Sequence, residues 1–235
     1  MNEIAIIPTN TCPPDLATLE KTTDALRVFA AEIQLDISDG IFSPVKSWPY
    51  NGQEQEIEKM TKGEFQLPRA ENLAYEVHLM VQEAREIGVQ LAKAGAHRIL
   101  GHIESFSDET VAHEALDAWR EAGAREAGLA VLMPTSLEVL EPVIGACDVV
   151  QLMTIPRIGS QGAPFADGAI ERVAELHRRH PEITIAVDGA VSEENIQDLT
   201  RAGARRFGVG SAISKAKDPA ASYAALKALA EQALV

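Results

Sequence analysis

Acid, base and metal-ligating side chains recur where apolar, strand-like runs of the chain end. One run ends IQLDISDG and carries Gln34, Asp36 and Asp39; another ends YEVHLM with His78; a third ends GHIES with His102 and Glu104; a later one stops at Asp188-Gly189. In an alternating strand Gln34 and Asp36 point to the same side. If these strands meet at one rim, Asp36, His78 and Asp188 converge on one small volume. Two carboxylates facing each other across a substrate suit removal of a proton from one face of a carbon and its return to the other. Burial or nearby like charge would raise one carboxyl from about 3.9 toward a useful value. Alternatively, the carboxylates and the imidazole ligate a divalent metal ion that polarises a carbonyl. Each residue taken alone has a plainer reading. An Asp-Gly pair is commonly just a turn, and a lone histidine after an apolar run is commonly a core residue. His102 and Glu104 could simply bond to each other and brace the rim. His97, His113, His177 and His180 fall in turn or helix surroundings and read as solvated.

The elements that must position these groups alternate without a break in composition. Strand-like runs lie at Ile4–Ile7, Ile33–Asp36, Leu73–Met80, Arg98–Ile103, Leu129–Met133, Val149–Met153, Ile183–Asp188 and Phe207–Gly210. Helical segments include Asp15–Ala30, Gln82–Ala94, Glu109–Ala122, Gly168–Arg179 and Ala220–Leu234. Eight strands in 235 residues predict an α/β fold, a (β/α)8 TIM barrel, whose usual length is ~250 residues. The stretch from Pro181 to Ile213 shows the unit most clearly. The apolar run Ile183–Val187 empties into Asp188-Gly189, and Ser192 is placed to cap a helix buried through Ile196 and Leu199. Gly203 ends that helix, and Phe207–Val209 leads into Gly210-Ser211 at the start of the last helical segment. Ala94-Gly95-Ala96, Ala122-Gly123-Ala124 and Ala202-Gly203-Ala204 repeat one helix-to-strand turn. One connection is long: Phe42 to Arg69, whose middle, Glu54–Met60, reads as a short helix. Loops of that length tend to be functional, so residues 42–69 are expected to be a lid on a single barrel domain spanning 1–235.

Composition narrows the partners. The formal charge of −14 argues against nucleic acid or an anionic membrane surface. It leaves a phosphorylated small substrate open, because backbone N–H groups can hold phosphate without a basic cluster. Cys12 and Cys147 lie far apart, so no disulfide framework is expected. With no charged leader and no apolar stretch long enough to span a bilayer, a cytoplasmic location is expected. Association into a homo-oligomer stays open.

Several motifs, in order along the chain, resemble the ribulose-phosphate 3-epimerase family. Pro8-Thr9 resembles the family's Pro-Ser after its first strand, and QLDISDGIFSP at Gln34–Pro44 resembles H-x-D-x-M-D-G-x-F-x-P. His78-Leu79-Met80 resembles H-L-M, and His102-Ile103-Glu104 resembles H-x-E; Pro134-Thr135-Ser136 follows the fifth strand as in the family. Met153-Thr154-Ile155-Pro156 with Gly159-Ser160-Gln161 resembles M-x-V-x-P-G-F-G-G-Q with one residue missing. Val187-Asp188-Gly189 resembles V-D-G-G, and Gly210-Ser211-Ala212-Ile213 resembles the phosphate turn G-S-A-I.

The resemblance implies that Asp36 and Asp188 move the proton on C3 of a ketose phosphate, D-ribulose 5-phosphate or D-xylulose 5-phosphate or a related phosphosugar. It implies substrate or phosphate contacts from Thr9, Gln34, His78, Gly159, Ser160, Gly189, Ala190, Gly210 and Ser211. It also implies a divalent metal ion on Asp36, His78 and Asp188, with Gln34 in place of the family's second histidine. An amide oxygen is a poorer zinc ligand than imidazole, which shifts preference from zinc toward magnesium or manganese. Other departures are Ser38 for a methionine over the substrate, Ala190 for the second glycine of V-D-G-G, Arg157-Ile158 for Gly-Phe, and Val45 for the Asn of F-V-P-N. Arg157 reads equally as a solvated charge or as a contact to an anion, and Met80 with Met153 as core packing more than substrate contact. A second class stays open beside the isomerase: a non-catalytic phosphosugar-binding relative whose metal site has eroded. The Asp-x-Lys-x-x-Asp motif of neighbouring decarboxylase and hexulose-phosphate synthase barrels is absent, since Asp36-Ile37-Ser38 lacks the lysine.

Overall fold

The computed structural model describes residues 3–159 and 162–234. Its strands are β1 (Ala5–Asn10), β2 (Glu32–Ser38), β3 (Ala74–Met80), β4 (Arg98–His102), β5 (Glu126–Val131), β6 (Val149–Met153), β7 (Thr184–Asp188) and β8 (Arg206–Val209). They pair in parallel in chain order, and β8 returns to β1 to close an eight-stranded barrel. The helices are α1 (Leu16–Leu26), α2 (Glu54–Thr61), α3 (Ala84–Lys93), α4 (Glu109–Glu121), α5 (Ala169–Arg179), α6 (Ile196–Ala202), α7 (Ser211–Ser214) and α8 (Pro219–Gln232). Between β5 and β6 the described crossover is made of two 3-10 turns, Leu137–Leu140 and Ile144–Ala146. The fold is the expected (β/α)8 barrel. No helix among the described residues is long and apolar enough to cross a membrane.

Three sequence expectations are corrected. The fifth strand lies nearer the N-terminus than the apolar run predicted. It ends at Val131 because the N–H of Leu132 leaves the ladder and donates to Glu104 Oε1 at 2.9 Å. Ser192 does not cap α6. Its own N–H is held by Asn195 Oδ1 at 2.9 Å, which folds 192–195 into a turn and starts the helix after Asn195. Gly210-Ser211 likewise opens the separate one-turn α7, ahead of α8, which starts at Pro219 behind its Asp218 cap. The three Ala-Gly-Ala turns are as expected: Ala96, Ala124 and Ala204 each donate five residues back, to Leu91, Trp119 and Leu199.

The main apolar core lies between the strands and the helix ring, where Leu19, Trp119, Tyr75 and Phe207 are fully buried. Helix α4 shows how the ring docks. Ala112, Ala115, Leu116 and Trp119 form its buried stripe, and Asp108 caps it by accepting from the N–H of Val111 at 3.0 Å. The indole of Trp119 sits on Gly101 of β4, where a Cβ would come within 2.6 Å of the ring. Inside the barrel the side chains stack in layers. At the N-terminal end Arg98 bonds to Glu32, Glu76 and Glu126, and Arg206 joins Glu126. Above them Leu100, Val149 and Ala186 form a small apolar cluster of their own. The C-terminal layer holds the polar groups singled out in the sequence.

Candidate active site

The backbone register sets the site. Asp36 on β2 lies beside His78 on β3, so their side chains share one layer of the interior. Gln34, two residues before Asp36 and on the same face, is fully buried, and its Nε2 donates to Asp36 Oδ1 and to Asp188 Oδ2, each at 2.9 Å. One amide thus ties β2 to β7 and holds the two carboxylates together. Gly208 on β8 makes the room: a Cβ there would lie 2.8 Å from Gln34 Oε1 and 3.1 Å from Asp188 Cγ.

His78 completes the cluster. Its Nδ1 lies 3.3 Å from Asp36 Oδ1 and 3.4 Å from Asp188 Oδ2. Its Nε2 lies 2.9 Å from His102 Nε2, and His102 Nδ1 lies 3.3 Å from Glu104 Oε2. The direction of this chain follows from donor chemistry. An ionised Glu104 only accepts, so His102 Nδ1 donates; neutral His102 then accepts at Nε2, so His78 Nε2 donates. His78 Nδ1 is left facing the carboxylates. Burial works against charge on His78, but the hydrogen bonds and charges of Asp188 and Asp36 outweigh it and push the imidazole up to about 10. Burial keeps His102 neutral, down to about 4. Burial also raises Asp36 above the usual carboxylate range, against the opposing bond to His78. Glu104, despite burial, sits below that range because His102, Thr135 and the N–H of Leu132 bond to it.

Above these groups a cavity opens to solvent at the C-terminal ends of the strands. Asp36 and Asp188 both line it, with Thr9, Met80 and Met153 beside them and Gly189–Val191 and Gly210-Ser211 at one edge. The hydroxyl of Thr9 is buried with no partner among the described residues, on a residue only 6% exposed. An unpaired buried hydroxyl costs free energy unless a ligand satisfies it. Gln34 and His78 lie beneath the cavity, behind the carboxylates, and do not line it. Gly159 lines it next to Ile158, whereas Ser160 lies outside the described residues and Arg157 is exposed. Both Met80 and Met153 prove to be cavity wall as well as core.

The remaining polar groups brace the rim. Asp39 turns away from the cavity: Oδ1 accepts from the N–H groups of Ile41 and Phe42, and Oδ2 from that of Gln82. The loop so fixed lays Phe42 on His102, ring centroids 4.8 Å apart, and brings Ser43 against Gly159. Ser38 faces into this loop, bonding Ser43 Oγ at 2.6 Å and the carbonyl of Val45 at 2.7 Å. His102 and Glu104 do bond to each other, as their spacing allowed. Thr154 and Asn195, whose side chains bond the backbone of the turn after β7, carry no signal in the sequence for that role. Hydroxyl and amide residues in loops are too common for that role to be visible without coordinates.

The donor atoms of Asp36, His78 and Asp188 lie within 4.8 Å of one another, close enough to hold one metal ion. The set fits a divalent ion: two carboxylates, and an imidazole whose outer nitrogen is already engaged by a neighbour. Gln34 Oε1, buried without a partner among the described residues, is a further oxygen donor in the same cluster.

A closed parallel barrel with an acid, base and metal-ligating cluster at the C-terminal ends of its strands defines an enzyme of the (β/α)8 class. The fold is shared with 3-hexulose-6-phosphate synthase from Salmonella typhimurium, TM-score 0.68 at 14% identity over 97% of this chain and 99% of that one. It is also shared with KGPDC from Streptococcus mutans, TM-score 0.68 at 11% identity over both full lengths. The sequence is more specific. The model of the ribulose-phosphate 3 epimerase family matches residues 13–214, and the chain belongs to that family. The ribulose-phosphate 3-epimerase of Aquifex aeolicus is 32% identical over 89% of each chain. The Escherichia coli enzyme of the same name is 31% identical over 85% of this chain and 84% of its own.

Proposed function

We propose that the protein epimerises a ketose phosphate at C3, interconverting D-ribulose 5-phosphate and D-xylulose 5-phosphate or a closely related pair, by two-base proton transfer. The observation that carries this reading is the placement of Asp36 and Asp188, from β2 and β7, side by side on the lining of one cavity, bridged by the Gln34 amide. One carboxylate removes the C3 proton, and the electron pair passes to the C2 carbonyl to give an enediolate. The other carboxylate, already protonated, returns its proton to the opposite face of C3, so the two exchange protonation states with each turnover. Burial raises Asp36 above the ordinary carboxylate range, which favours that carboxylate as the one that holds the proton. Gln34 fixes the distance between the carboxylates, and the unpartnered hydroxyl of Thr9 is placed to bond the substrate. The phosphate is assigned to the backbone of Gly189-Ala190 and Gly210-Ser211, with Gly159 closing over it.

Asp36, His78 and Asp188 would hold the divalent ion, with Gln34 in the place of a fourth protein ligand. When bound, such an ion supplies Lewis-acid stabilisation of the enediolate oxygens. The imidazole proton on His78 Nδ1 must leave before that nitrogen can ligate, so metal uptake should release a proton. The segment 42–69 acts as a lid on a single barrel domain: its Phe42 covers His102 and its Ser43 meets Gly159.

Incubation with a panel of ketose phosphates in deuterated water tests the reading directly. Deuterium at C3 with formation of the epimer is expected. Tight phosphosugar binding without exchange would leave a binding protein and remove the enzyme.

A further inference from the structure

Three peptide groups follow Asp188 in succession, and each of their carbonyls is tied to a partner outside the cavity. The carbonyl of Asp188 accepts from the backbone N–H of Thr154 at 2.8 Å, and Thr154 Oγ1 lies 3.1 Å from the same atom. The carbonyl of Gly189 also accepts from Thr154 Oγ1. The carbonyl of Ala190 accepts from Asn195 Nδ2 at 2.9 Å, while Asn195 Oδ1 takes the N–H of Ser192 at 2.9 Å. Thr154 is fully buried and Asn195 is 9% exposed, so both bonds are shielded from competing water.

Peptide geometry turns these bonds into an orientation. In a trans peptide the N–H points opposite to the C=O of the preceding residue. Tying back the carbonyls of 188, 189 and 190 therefore turns the N–H groups of Gly189, Ala190 and Val191 the other way, and all three residues line the cavity. Successive amides aimed at one point form an anion-binding concavity. The conformation is not one the chain adopts freely. Gly189 has φ 112° and Ala190 φ 53°, and the second is a left-handed conformation on a residue with a Cβ. Such a conformation costs about 1 kcal/mol or more and persists where its surroundings hold it. Thr154 and Asn195 are what hold it, one from each side.

We propose that Thr154 and Asn195 are positioning residues for the phosphate of the substrate, fixing the N–H groups of Gly189–Val191 without touching the ligand. This rests on the phosphosugar reading above and deepens it.

The test compares Thr154→Val, Thr154→Ser and Asn195→Ala with the unmodified protein, each first shown to be folded by its thermal transition. Thr154→Val and Asn195→Ala should raise KM for the ketose phosphate, and the inhibition constant of inorganic phosphate, by about tenfold each, the scale of one lost hydrogen bond. kcat should change little, and Thr154→Ser, which keeps the hydroxyl, should restore both constants. Equal losses in kcat with unchanged phosphate inhibition would overturn the proposal. A measurement on the unmodified protein covers the case in which a variant does not fold. Titration with inorganic phosphate should shift the amide resonances of Gly189, Ala190 and Val191. Phosphate that binds and shifts other amides, leaving these unmoved, would also overturn it. Absence of any phosphate binding by the unmodified protein would instead strike at the phosphosugar reading, and the proposal would fall with it.

Discussion

The two ends of the barrel interior carry similar residues to opposite effect. At the N-terminal end Arg98, 3% exposed, bonds Glu76 at 2.6 Å and Glu126 at 2.7 Å and also reaches Glu32, while Arg206 closes on Glu126. Each carboxylate there meets a guanidinium, and Glu76 Oε1 is the atom of that layer left without a partner among the described residues. At the C-terminal end two carboxylates share one imidazole and one amide, and the hydroxyl of Thr9 and the oxygen of Gln34 have no partner among the described residues. The apolar layer of Leu100, Val149 and Ala186 separates the two. A paired buried network plugs a barrel; a cluster with like charges pressed together and polar atoms left over, open to a cavity, is built to receive something. Charge content alone does not distinguish structure from function. Satisfaction does.

The contrast can be broken at its functional end first. Asp188→Asn should lower epimerisation by roughly 10³-fold, within the range of lost acid–base catalysis, with the thermal transition nearly unmoved. Full turnover by this variant would end the two-base mechanism. At the other end, Arg98→Met leaves three carboxylates without their shared cation. It should cost about 3–5 kcal/mol in urea-unfolding free energy and leave turnover per folded molecule unchanged. If that variant instead kept its stability and lost activity, the division between the two ends would be wrong.

Gln34→His sharpens the comparison at the metal. An added imidazole should raise zinc affinity by about tenfold or more, read by metal content after dialysis and by calorimetry. Stoichiometric zinc in the unmodified protein, unchanged by the substitution, would show that this amide does not govern the site.

The smallest effects are in the pH dependence of stability, where the two ends occupy neighbouring windows. Burial depresses His102, so the neutral form is favoured in the fold. Its contribution is present above pH 6.5 and is lost as pH falls toward 4. Glu126 is half-buried, which works against its charge, but the bonds from Arg206 and Arg98 outweigh this and hold it down to about 2. Its contribution is present above pH 4.5 and is lost as pH falls toward 2. His102→Gln should flatten the first window and Glu126→Gln the second. A single window abolished by either substitution would mean that the two layers titrate as one.

The sequence by itself determined the strand and helix alternation, the barrel, and the polar residues at the strand ends. Apolar runs and Ala-Gly-Ala turns are local features, and a barrel repeats them enough times to be read. It also placed Gln34 and Asp36 on one face, since alternation along a strand needs no partner to be known. Only the tertiary structure decided what those residues do to one another. It turned the Gln34 amide onto Asp188, 154 positions away. It sent Asp39 into a loop brace, and it moved the start of α6 from Ser192 to Asn195. It also brought Thr154 and Asn195 onto the turn after β7 from opposite sides. The reason is the range of the forces involved: hydrophobic periodicity and turn preference act within a few residues, whereas a buried hydrogen bond is set by whichever strands the closed barrel makes neighbours.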